Sequence, residues 1–262
     1  VRIARFSVDD EPKYGMVETD DPEGLVGTVN VLDSDPLYRP VKFTGERLQL
    51  ADVRLLAPVI PRSKVVCVGR NYAAHAQELG NDVPEQPLIF LKPNTSVIGP
   101  RDGIVYPEQT HDLNFEGELA IVIGRICRDL PKERANEVIF GYTIANDVTA
   151  RDLQKTDGQW ARAKGYDTFC PLGPWISTEL DASDLRVSTE LNGEPKQDGR
   201  TSQFIFDIPE VLAFITSFTT LLPGDVVLTG TPAGVGPMLP GDEVSVSVEG
   251  IGTLTNRVIV RD

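Results

Sequence analysis

Histidine is scarce in this chain. The 262 residues hold two, His75 and His111, which excludes a multi-histidine zinc site. Cysteine is scarce as well. Cys67, Cys127 and Cys170 are odd in number, far apart and without paired ligand spacing, so buried reduced thiols are expected. No stretch approaches the roughly 20 apolar residues of a membrane helix. The opening run Val1-Arg2-Ile3-Ala4-Arg5-Phe6 reads as a strand and lacks a signal-peptide apolar core. A cytoplasmic protein with no membrane partner is therefore expected. Positive charge is short: 25 Lys and Arg against 39 Asp and Glu leave a net charge of −14. Nucleic acid is then an unfavourable partner for the surface as a whole, although a small anionic substrate remains compatible with a locally cationic site.

What is present is a set of short strands. Residues 1–57 alternate apolar runs with turn signals such as Asp20-Asp21-Pro22-Glu23-Gly24, which predicts a small β-rich N-terminal domain. Ala57-Pro58-Val59-Ile60-Pro61 reads as an extended connector, and residues 58–262 as the larger domain. Strands are predicted at Lys64–Val68, Leu88–Leu91, Leu113–Gly124, Val138–Asp147, Val226–Leu228, Val244–Val248 and Thr253–Ile259. Helices are few: Tyr72–Leu79, Lys132–Val138, Ala150–Lys155 and Ile208–Phe218, the last with Pro209 in its first turn. Strands outnumber helices and do not alternate with them, so a mainly β, α+β fold with a mixed or antiparallel sheet is expected.

Three carboxylates carry the first chemical signal. Glu116 and Glu118 are two apart in an apolar run and would share one face of a strand. Ionised side by side in a core they repel and lose hydration, and a cation removes both problems. Asp147 ends a second apolar run. Three oxygen ligands suit Mg²⁺ or Mn²⁺. The competing reading puts the glutamates on a solvated strand edge and makes Asp147 a helix cap. The apolar flanks and the third acid favour the metal. His75 and Glu78 are three apart, neighbours on a helix face, and a carboxylate beside an imidazole is the arrangement of a general base. An incidental surface pair is the alternative. His111 has no evident partner and reads as a surface residue. Arg70, Lys92, Arg151, Gln154 and Lys164 lie next to strand ends, where each alone is most often solvated. The loop from Thr229 to Pro237 is rich in glycine and could hold an anion on its amides and Thr231, but it has neither a P-loop ending nor a dinucleotide fingerprint.

These segments together resemble the fumarylacetoacetate hydrolase family. The likeness runs from about Val65 to Val258, through Val68-Gly69-Arg70-Asn71-Tyr72 with His75 and Glu78, Phe90-Leu91-Lys92-Pro93, Glu116-Gly117-Glu118-Leu119-Ala120, Asn146-Asp147-Val148-Thr149-Ala150-Arg151-Asp152, Lys164-Gly165 and Thr229-Gly230-Thr231-Pro232. The resemblance implies a mixed β-roll catalytic domain, a homodimer, and Mg²⁺ or Mn²⁺ on Glu116, Glu118 and Asp147. It implies that the His75–Glu78 helix belongs to a lid and that Lys164 is catalytic. Arg70, Lys92, Gln154 and Thr231 fall at substrate-contacting positions. The activity implied is cleavage of a carbon–carbon bond in a small 2-oxo acid through an enolate, by hydrolysis of an acylpyruvate type or decarboxylation of an oxaloacetate type. Isomerisation of a 2-hydroxy-dienedioate is one alternative, and a non-catalytic metal or carboxylate binder is another.

Overall fold

The computed structural model describes every residue except Leu79, Asn81 and Asp262. Most of the chain forms one large mixed sheet with a smaller sheet packed against it. The large sheet runs, from edge to edge, Phe43–Gln49, Thr28–Leu32, Glu11–Glu18, Arg2–Val8, Cys170–Ser177, Ile139–Asn146, Gly117–Ile123, Val226–Leu228, Val65–Gly69 and Leu88–Lys92. Neighbours along it are antiparallel except Val226–Leu228 against Val65–Gly69. The N-terminal strands continue this sheet: Arg2 pairs with Ser177 and Ile3 with Ile176. The five-stranded sheet runs Glu194–Arg200, Arg186–Leu191, Glu243–Val248, Gly252–Ile259 and Gly103–Val105.

Gly117–Ile123 shows why an unbroken apolar run becomes a central strand. Alternate residues point to opposite faces, and both faces are covered. Leu119, Ile121 and Ile123 join the core that holds Phe6, Val29, Trp175, Leu212 and Val246. Ala120 and Val122 join Val65, Cys67, Cys170 and Leu228 on the other side. The strand therefore cannot slip in register without moving its apolar side chains between two differently shaped cores.

Helices are short except Ile208–Phe218, whose Asp207 caps the Glu210 N–H at 2.8 Å. Leu79, the expected end of the first helix, lies outside the described residues; the described helix is Ala73–Glu78. Lys132–Glu137 is a 3₁₀ turn. Several elements lack a clear sequence signal. Cys170–Ser177 is interrupted by Pro171, Gly173 and Pro174, and Glu194–Arg200 is polar with a proline, as edge strands often are. Arg186–Leu191 and the five-residue helix Ala161–Gly165 were also not foreseen. All three cysteines are buried and free. No described helix is long and apolar enough to cross a membrane.

Candidate active site

The carboxylates meet where the large sheet breaks. The sequence predicts one strand over Leu113–Gly124, but the structure divides it at Glu116. There the Glu116 N–H donates to Asn146 Oδ1 at 3.0 Å, while Leu113–Phe115 leaves the large sheet to pair with Thr149–Ala150 and Gly236–Pro237. Asp147 follows the last strand residue, Asn146, and its N–H donates to the Glu116 carbonyl at 2.8 Å. Oxygens of Glu116, Glu118 and Asp147 thereby lie within 4.8 Å of one another, and all three residues are buried.

Charge is balanced unevenly among them. Lys164 Nζ bridges Glu116 Oε2 at 2.8 Å and Asp147 Oδ2 at 2.6 Å. Arg151 reaches Glu116 Oε1 at 2.5 Å, and Lys92 reaches Asp147 Oδ1 at 2.5 Å. Among the described residues, Glu118 has no basic side chain in contact, and its carboxylate accepts one bond, from the Gly230 N–H at 2.6 Å. Burial opposes ionisation of Glu116, but Lys164 and Arg151 outweigh it and hold that carboxyl well below the usual range. For Glu118, burial and the charges of Asp147 and Glu116 act together and push it well above. Burial disfavours the Lys164 ammonium, yet Asp147 and Glu116 raise its pKa. A divalent cation fits this donor set: it would supply the positive charge that Glu118 lacks, from oxygens that suit a hard metal.

Over the carboxylates opens a cavity of about 270 Å³, lined in part by Arg70, His75, Glu116, Glu118, Asp147, Gln154, Lys164 and Thr231. His75 is buried, and its Nδ1 is 3.2 Å from Glu78 Oε2. Glu78 in turn accepts the Gly234 N–H at 3.0 and 3.2 Å. The pair is thus fixed by the glycine loop rather than left loose on a surface helix. Arg70 has φ 61°, a left-handed conformation uncommon for a residue with a Cβ. Gln154 Oε1 accepts from Arg151 at 2.7 Å. The Thr231 hydroxyl donates to the Gly117 carbonyl at 2.9 Å, so its hydrogen is already engaged.

Like Glu78, Lys92 stands outside the cavity lining. Its buried ammonium serves Asp147 and the Val148 carbonyl. Lys155, Phe90 and Trp160 also line the cavity without any site signal in the sequence, and so does Arg151, noted above among the cations next to strand ends. The signal for Arg151 is its place four residues after Asp147, behind a buried run. Trp160 packs edge-on to Phe90 with centroids 5.3 Å apart, a contact the sequence does not signal. His111 is exposed and away from this cavity, as expected.

Comparison with known proteins gives a consistent picture. A family model described as "Fumarylacetoacetate (FAA) hydrolase C-terminal" matches residues 64–259, and one described as "Rv2993c-like, N-terminal" matches residues 1–58. The chain is 41% identical over 224 residues to human mitochondrial oxaloacetate tautomerase FAHD2A, covering 81% of this chain and 71% of that protein. It is 50% identical to the crystal structure of 2-hydroxyhepta-2,4-diene-1,7-dioate isomerase from Mycobacterium marinum, with TM-score 0.92 over 99% of this chain and 98% of that one. It is 35% identical, with TM-score 0.73, to a fumarylpyruvate hydrolase from Pseudomonas aeruginosa in complex with Mn²⁺ and pyruvate, over 79% of this chain and 92% of that one.

Proposed function

The chain belongs to the fumarylacetoacetate hydrolase family, and we propose that it is a metal-dependent enzyme that breaks a carbon–carbon bond in a small 2-oxo acid through an enolate. One observation carries this: a buried carboxylate without a basic partner among the described residues, Glu118, adjoins two neutralised ones beneath a cavity lined by His75, which Glu78 holds. Mg²⁺ or Mn²⁺ on Glu116, Glu118 and Asp147 would supply Lewis acidity to the substrate oxygens.

The chain's own groups do the rest. Glu78 engages His75 Nδ1, which favours a proton there and leaves Nε2 as the base. In hydrolysis, Nε2 takes the proton of the water that attacks the distal carbonyl. Lys164 has three donors, of which Glu116 and Asp147 take two, leaving one for a substrate oxygen. Gln154 accepts from Arg151 through its oxygen and keeps its amide N–H groups for the same purpose. Two of the three carboxylates, Glu116 and Asp147, contact three basic side chains, Lys92, Lys164 and Arg151, so three acids stand against three bases in formal charge before a metal adds its own. Arg70 and Lys155 on the cavity wall add more positive charge. An anionic substrate is then favoured in an acidic protein. A cavity of about 270 Å³ is small, below the roughly 300–1,000 Å³ of sites for drug-sized ligands.

A second reading is proton transfer without bond cleavage, by tautomerisation or by isomerisation of a 2-hydroxy-dienedioate. The tautomerase and isomerase among the similar proteins favour it, and His75 alone could move the proton. Buried His75 in the cavity wall, held by Glu78, speaks against a mere binder. A spectrophotometric panel with Mg²⁺ or Mn²⁺ decides: acylpyruvates, fumarylpyruvate, oxaloacetate and a hydroxymuconate-type dienedioate give different products by hydrolysis, decarboxylation and isomerisation. No turnover of any of them by metal-loaded protein would sink the enzymatic reading. The homodimer is part of the same proposal, and light scattering on the purified protein tests it.

A further inference from the structure

We propose that Gln197 is a positioning residue that sets the angle between Glu116 and Glu118. It rests on the assignment of those carboxylates as metal ligands. Gln197 comes from Glu194–Arg200, an edge strand of the smaller sheet, and touches none of the three acids by hydrogen bond. Its amide is buried and fully used. Oε1 accepts from the Gly117 N–H at 2.9 Å and the Thr189 hydroxyl at 2.7 Å, while Nε2 donates to Thr231 Oγ1 at 2.8 Å and the Pro232 carbonyl at 2.7 Å. A primary amide offers two acceptor and two donor positions, so nothing is left over.

The partners explain the consequence. Gly117 is the residue between the two glutamates: its N–H lies in the peptide plane shared with Glu116 and its C=O in the plane shared with Glu118, so holding both fixes one glutamate relative to the other. Gln197 holds its N–H, and Thr231, itself held by Gln197, donates to its carbonyl at 2.9 Å. The same short loop supplies the Gly230 N–H to Glu118. One buried amide thus ties the ligand-bearing strand to the loop that contacts a ligand. Contact is close enough that a Cβ on residue 117 would collide with Thr189 Oγ1 and lie 2.8 Å from Val246 Cγ1. Glycine at 117 is required by the approach of the smaller sheet, and that approach delivers Gln197. Outer partners of metal ligands commonly change metal affinity 10–100-fold when removed.

The test is Mn²⁺ binding to metal-free protein, read as free Mn²⁺ by electron paramagnetic resonance, together with amide exchange at Gly117 by NMR. Gln197→Met keeps length and removes all four bonds. Its Mn²⁺ Kd should rise about 10–100-fold, and the Gly117 amide should exchange faster. Thr189→Val removes one bond at constant size and should shift both readouts the same way by less, which keeps the test available should Gln197→Met fail to fold. Unchanged Mn²⁺ affinity in a folded variant, whatever its melting temperature, overturns the positioning role. Wild-type protein that takes up no Mn²⁺ overturns the ligand assignment itself, and this role with it.

Discussion

Two buried carboxylates in the large sheet are treated in opposite ways. Asp225, just before Val226–Leu228, accepts from the N–H and hydroxyl of Ser63, from the N–H and ammonium of Lys64, and from the Leu222 N–H, all at 2.7–3.2 Å. Burial disfavours its charge, but those donors outweigh burial and lower its pKa. Glu118 accepts one N–H among the described residues and faces two other acids, and its pKa is raised. A carboxylate that serves the fold is surrounded with donors. Glu118 is starved of them, and the fold bears that cost where a cation could relieve it.

The sharpest way to break this contrast is to neutralise Glu118. Glu118→Gln should abolish stoichiometric Mn²⁺ by elemental analysis and remove all measurable turnover. In metal-free protein the same change should raise the melting temperature by about 2–4 °C, the shift that roughly 1 kcal/mol gives in a domain of this size, because it removes a repelled charge. Retained metal would refute the ligand assignment, and a lower melting temperature would refute the claim of a starved charge.

Next in size is Lys164→Met. It strips a cation from Glu116 and Asp147 together, though Arg151 and Lys92 remain on them. Denaturant unfolding should report a loss of about 3 kcal/mol, near the lower bound for breaking a buried pair. An unchanged midpoint would mean that the ammonium is not what neutralises the cluster. His75→Ala separates the cavity wall from its floor: kcat should fall about 10²–10⁴-fold with Mn²⁺ affinity preserved. Hydrolysis that survived with metal present would remove His75 from water activation.

The smallest effect belongs to Asp225. Asp225→Asn should cost about 2 kcal/mol at neutral pH, the scale of hydrogen bonds to a charged group, without altering Mn²⁺ affinity. Because the folded pKa lies below the ordinary 3.8, its contribution is present above that value. It disappears as pH falls through the lower folded value. Melting curves of the two proteins should therefore converge on acidification below about pH 4, and a constant gap would show that charge is not involved.

The legible parts of the site were those where local pattern and chemistry coincide. Glu116 and Glu118 within an apolar run, Asp147 at the end of another, and His75 with Glu78 at helical spacing are all visible, and the structure brings the three acids and His75 to one cavity, with Glu78 bonded to His75. Lys92 was visible as a cation after a strand, but whether it faces the cavity or the back of Asp147 depends on neighbours distant in the chain. Gln197 gave no signal, since Glu194-Pro195-Lys196-Gln197-Asp198 has neither apolar alternation nor a chemical motif. The break at Glu116 was equally hidden, because it arises from a side chain thirty residues away in sequence, Asn146.

By itself, the sequence determined the mainly β character of the fold, most of the apolar strands of the core and the identity of the three acids. Periodicity and burial preference act over a few residues and can be read from them. Tertiary structure decided which cation answers which acid, why Glu118 has none, and how the glycine loop and the smaller sheet hold Gly117. Electrostatic and hydrogen-bond energies fall steeply with distance in space, and that distance exists only once strands far apart in the chain lie side by side.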